Sequence, residues 1–105
     1  MNDPTMRISM LLCALLATVP AQAAQDAPHA TGKMLGNTCA ACHGTFGKSH
    51  DEYMPSLAGI DRQQLIRAMT DYREERRMSV VMNRIAKGYT DAEIAAIAEY
   101  FSKIK

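Results

Sequence analysis

Tryptophan is absent from this 105-residue chain, and the other aromatics are few: two phenylalanines and four tyrosines. A core built on them alone would be thin. Cysteine is scarce too, at three, which is short of the disulfide framework that staples small secreted domains. Neither sign of charge dominates, since twelve Lys and Arg stand against eleven Asp and Glu. That balance excludes the basic face with which proteins grip nucleic acid. The densest charged stretch, YREERR at 72–77, mixes both signs and reads as a solvated helix end. No apolar run reaches the roughly 20 residues of a membrane-spanning helix. No internal repeat is visible, and no alternation of apolar and polar residues marks a strand.

The apolar run that is present, ISMLLCALLATV at 8–19, follows Arg7 and precedes PAQA. A charged start, a short apolar core and an A-x-A site together read as a secretory signal. Cleavage is expected after Ala23, so residues 1–23 form the signal peptide and 24–105 the mature domain, exported to the periplasm without a stable membrane anchor. Cys13 is lost with the signal; Leu12 before it is too large for a lipoprotein site. Cys39 and Cys42 then remain as the only cysteines. A domain of about 80 residues buries roughly 60% of its unfolded surface and is marginal without a staple. Something besides side chains is expected to fill its centre.

The pattern turns helical from Thr31. A first helix is expected over Thr31–Asn37, with Met34 and Leu35 as its apolar residues. A loop from Gly44 to Gly59 carries Pro55. Asp61 has the place of an N-cap for a helix over Arg62–Glu74, with Leu65, Ile66 and Met69 on one face. A shorter helix is expected from Ser79 to Lys87, stopped by Gly88. The last helix is signalled most strongly: Thr90-Asp91-Ala92-Glu93 is a capping box, and Ile94, Ile97, Ala98 and Phe101 recur at i, i+3, i+4 and i+7 behind it. The fold class is all-α.

Cys39-Ala40-Ala41-Cys42-His43 admits three readings. A structural zinc site needs four ligands, and outside the motif the mature chain offers only His29 and His50. A thioredoxin-like redox pair needs a βαβ setting, and strands are missing. Covalent haem attachment is what C-x-x-C-H signals directly. Residues three apart are neighbours on a helical turn, so both thiols reach the vinyl groups of one porphyrin. His43, four residues after Cys39, brings its imidazole to the same side. Haem also supplies the missing apolar centre, and export agrees with attachment on the oxidising side of a bacterial membrane.

With these residues the chain resembles the class I c-type cytochromes over essentially the whole mature sequence. The resemblance implies short helices wrapped around one haem c held by Cys39 and Cys42. It implies His43 as proximal ligand, Pro55 as the residue whose carbonyl accepts the imidazole Nδ1–H, and Leu57 as a haem-packing leucine. It also implies a close crossing of first and last helices, with Gly32 and Gly36 opposite Tyr100 and Phe101, and a distal methionine. Five methionines are available after cleavage. Met34 precedes the motif, Met69 lies in an apolar stripe, and Met54 is tied to the proximal side by Pro55. Met82 and Met78 remain. Met82 is favoured because it shares a face with Ile85, Ala86 and Tyr89, whereas Met78 follows the charged run.

MNRIAKGYTD (82–91), AEYFS (98–102) and PSLAG (55–59) are further similar to the cytochrome subunits of flavocytochrome c sulfide dehydrogenases. That resemblance implies an electron-accepting, non-enzymatic subunit with one haem, partnered by an FAD-bearing flavoprotein. Two alternatives stay open: a free-standing carrier to an oxidase or reductase, and a haem sensor or peroxidase-like enzyme with an open sixth position. Near-neutral charge points to an apolar docking contact, with Met54 and Ala58 expected to flank the exposed haem edge.

Overall fold

The computed structural model describes residues 30–105; the expected signal peptide and its cleavage point lie outside them. Four helices follow one another: α1 (Gly32–His43), α2 (Arg62–Arg73), α3 (Met82–Ala86) and α4 (Asp91–Ser102), with a 3₁₀ turn at Thr45–Gly47. All regular structure among the described residues is helical, as the sequence pattern requires.

Local chemistry sets most helix starts. The Thr31 hydroxyl accepts from the Met34 N–H, and the Asp61 carboxylate accepts from the Gln64 N–H at 2.8 Å. Both satisfy amides that a helix start leaves orphaned. At Thr90 the capping box is complete: the hydroxyl accepts from the Glu93 N–H while Glu93 Oε2 accepts from the Thr90 N–H. The C-terminus of α2 closes without glycine. Glu75 takes a left-handed φ of 60°, and the amides of Glu75 and Arg76 donate back to the carbonyls of Tyr72 and Asp71. This is the doubly bonded helix stop usually given to glycine.

Two helices differ from expectation. The first does not stop at Asn37 but runs through the whole motif to His43, because Thr38-Cys39-Ala40-Ala41 contains no breaker and Gly44, at φ 82°, provides the stop. Thr31 is its cap rather than its first residue. Leu35 packs on the core as expected, whereas Met34 is exposed. The third helix is shorter than Ser79–Lys87, covering only Met82–Ala86. There the Ser79 hydroxyl accepts from the Met82 N–H, and the Asn83 side chain accepts from the Ser79 N–H. Side-chain bonds of this kind compete with helical ones.

α4 packs across α1 and against α2, and α2 also packs against α3. Phe101, Ile94, Ile97, Ala98 and Ala86 are essentially fully buried, joined by Leu57, Leu65 and Met69. The α1–α4 crossing is tight: a Cβ on Gly32 would stand 2.2 Å from the Ala96 carbonyl oxygen. One on Gly36 would stand 2.5 Å from the Tyr100 ring. Small residues let backbones approach this closely, which brings the end of α1, and so the motif, against the core.

Candidate haem site

Cys39 and Cys42 sit on the last turn of α1, one helical turn apart and hence on one flank. They are not bonded to each other; Cys39 is half-buried against the core and Cys42 exposed. Burial pushes the Cys39 thiol above its ordinary value, against a smaller lowering from Thr38 and with a minor rise from Cys42. A thioether does not titrate, so alkylation of this sulfur removes the conflict between burial and charge.

His43 ends α1 and is 7% exposed. Its Nδ1 lies 2.7 Å from the Pro55 carbonyl oxygen. A carbonyl only accepts, so Nδ1 carries the hydrogen and donates it, leaving the Nε2 lone pair for a metal. The carbonyl is held in place by the loop around it. Leu57 N–H and Ala58 N–H both donate to the Gly47 carbonyl at 2.7 and 3.1 Å, and Ser49 N–H donates to Ser56 Oγ at 2.9 Å. The 55–58 strip is thereby laced to the turn that follows the motif. Leu57 itself is buried in the core.

Of the methionines, Met69 is buried in the core, Met54 is half-buried, and Met34 and Met78 are exposed. Met82 is half-buried and packs against the core. Its expected companions only partly share its face. Ala86 is fully buried and Tyr89 half-buried, but Ile85 is 38% exposed. The buried neighbour in its place is Asn83, which sequence reading missed; with Arg84 directly after it, no local pattern marks it as buried. Met54 and Ala58, expected at an exposed edge, are both half-buried.

A hollow of about 680 Å3 opens beside the motif, lined by Ala40, Cys42, Phe46, Lys48, His50 and Asp51. Neither His43 nor Met82 lines it, so it is not where iron would sit. Among the described residues no three His, Cys, Asp or Glu side chains converge as a metal cage. The donor set instead suits a metal that arrives within its own macrocycle: two adjacent thiols for covalent links, a buried imidazole of fixed tautomer, and thioethers as the further soft donors.

An all-helical domain with these features is of the kind that carries covalent haem and transfers electrons. Residues 29–105 match the Cytochrome c family model, and the chain belongs to that family. Its haem c is bound covalently through Cys39 and Cys42. The chain is 44% identical over 73 residues to the cytochrome subunit of sulfide dehydrogenase from Chlorobaculum tepidum, covering 70% of this chain and 66% of that one. It is 34% identical over 102 residues to cytochrome c4 from Pseudomonas aeruginosa, covering 93% of this chain and 50% of the other. With cytochrome c-554(548) from Halomonas halodenitrificans it shares 36% identity over 76 residues, covering 70% of this chain and 92% of the relative. The chain thus spans about two thirds of the first relative's length and half of the second's. Among the described residues no helix is long and apolar enough to cross a membrane.

Proposed function

We propose that this chain is a periplasmic one-electron carrier whose haem iron is ligated by His43 and Met82, and that it does no substrate chemistry of its own. The observation that carries the reading is the buried His43 ring with Nδ1 2.7 Å from the Pro55 carbonyl. That bond fixes the tautomer and the ring plane and makes Nε2 a better donor. Haem bound here would supply a reversible Fe(III)/Fe(II) couple, raised in potential by a thioether ligand. His43 holds the proximal side, Leu57 closes it against water, and Met82 offers its sulfur from a half-buried turn. Met78, at 79% exposed, would give up its hydration and ordering freedom to do the same.

In the ferric protein, methionine ligation gives a weak charge-transfer band in the red. Replacing Met82 by Ala is expected to abolish that band and lower the midpoint potential in a redox titration, while Met78→Ala does neither. The reverse pattern would transfer the role to Met78.

For its partner we favour an FAD-bearing dehydrogenase of sulfide, on the identity with the sulfide dehydrogenase subunit. The Halomonas relative, of which this chain covers 92%, supports a second reading, a free-standing carrier. Purification of the native protein under mild conditions separates them. Co-elution with bound flavin is expected for the first, and elution at the size of the single chain marks the second.

A further inference from the structure

Between α2 and α3 the chain has little backbone support where it approaches Met82. Among the described residues, no N–H from 78 to 82 donates to a backbone carbonyl. Val80 is 91% exposed and Met78 79%, so apolar packing does not hold the segment either. Side-chain bonds do. Asn83 Nδ2 donates to the Tyr72 carbonyl at the end of α2 and to the Arg77 carbonyl in the loop, each at 2.7 Å. Asn83 Oδ1 accepts from the Ser79 N–H at 2.6 Å. The amide is 9% exposed, and its orientation is unambiguous, since carbonyls only accept and an N–H only donates. Both of its hydrogens are used. From the other side the Ser79 hydroxyl accepts from the N–H groups of Val81 and Met82, at 3.4 and 3.2 Å.

From this geometry we infer that Asn83 is the positioning residue for the sixth ligand: it ties the loop to α2 and holds Met82 where its sulfur can stay on iron. The inference rests on Met82 being that ligand. A sulfur delivered by a loop competes with external ligands in proportion to the fraction of time it is held in place. Cutting the three bonds at Asn83 leaves Met82 held only by the Ser79 hydroxyl and a five-residue helix, and the Arg77 carbonyl loses its side-chain donor. The iron–sulfur bond should then yield to a competing nitrogen ligand, one coordinate bond forming as the other breaks, with no change in oxidation state.

The test is a titration of the ferric holoprotein with imidazole at low temperature, read by loss of the red band, alongside thermal unfolding. Asn83→Ala is expected to keep the band without imidazole but to bind imidazole about tenfold more tightly than wild type, a factor worth about 1.4 kcal/mol. Asn83→Asp, which keeps the acceptor for Ser79 and loses both donors, should move the same way. Thr90→Ala, which breaks the cap of α4, should lower the melting temperature without tightening imidazole binding. Wild-type affinity in both Asn83 variants would overturn the proposal, as would equal tightening in Thr90→Ala. Failure of both Asn83 variants to take up haem, while Thr90→Ala assembles, would also overturn it by making Asn83 a folding determinant. If Met82→Ala retains the red band, the ligand assignment itself fails, and the inference with it.

Discussion

Gly47 is the residue on which the proximal loop turns. Its φ of 72° lies in the left-handed region, and a Cβ there would stand 2.6 Å from Phe101 Cε1 and 3.0 Å from Leu57 Cβ. Its carbonyl also receives both amides that fix the 55–58 strip. Conformation, packing and hydrogen bonding therefore meet at one atom set. Gly47→Ala is expected to cost about 2–4 kcal/mol from backbone strain and overpacking together. Because that strain displaces the carbonyl facing His43, the variant should also show altered haem absorption before it unfolds. Chemical denaturation followed at the haem band and by helical circular dichroism checks both parts; coincident wild-type midpoints would contradict the account.

Between elements, the α1–α4 crossing sets how closely the motif approaches the core, and its two glycines are not equivalent. A methyl at Gly32 meets the Ala96 carbonyl, which belongs to helix backbone and cannot rotate away. A methyl at Gly36 meets the ring of Tyr100, a half-buried side chain with two soft torsions. Gly32→Ala is therefore expected to destabilise the holoprotein more than Gly36→Ala, with Gly36→Ala costing about 1–3 kcal/mol and partly offset by better helix propensity. Thermal melts of the two variants decide the order. The ends of the helices are joined by exposed charge: Arg62 of α2 and Lys103 beyond α4 both reach Glu99. Lys103, through its hydrogen bond and then its charge, holds the Glu99 carboxyl below its ordinary value, with Arg62 contributing less. What this adds to stability is present above the ordinary glutamate range and is lost as pH falls through the depressed value. Exposure makes it small and sensitive to salt.

At the scale of the whole molecule, eight side chains among the described residues form the buried apolar core, and two of them are alanine. That falls well short of offsetting the roughly 1.5 kcal/mol per residue of conformational entropy lost on ordering such a domain. The haem is the remaining source of apolar burial. A double Cys39→Ala, Cys42→Ala variant, unable to hold haem covalently, is expected to lack a cooperative thermal transition; a sharp melt would refute this. Met78, Val80 and Val81 are exposed apolar residues just before Met82 in the chain, with Arg77 before them and Arg84 following, while the acidic neighbours Glu74 and Glu75 are paired with Arg76 and Lys87. With net charge at +1, docking there should depend on apolar contact more than on long-range steering. Electron-transfer rates with a redox partner are expected to fall less than about tenfold from low to moderate salt, whereas Val80→Glu should slow them at every ionic strength.

What the sequence alone determined is what short-range chemistry encodes. The C-x-x-C-H motif places its thiols by helical spacing, and the caps at Asp61 and Thr90 act between residues three apart, so each is legible without knowing the fold. The stripe Ile94, Ile97, Ala98 and Phe101 likewise declared the buried face of α4. Pro55 and Leu57 were legible only through family resemblance, because nothing local says that a proline carbonyl meets a histidine twelve residues earlier. The tertiary structure decided the rest. It holds the Pro55 carbonyl against His43 by bonding the 55–58 strip to Gly47, and it anchors the segment before the third helix, where side chains of Ser79 and Asn83 take the amides. Asn83 reaches carbonyls six and eleven residues back. Which carbonyls they are depends on the path of an exposed loop, and that path is fixed only when α2, α3 and α4 have packed around a common core.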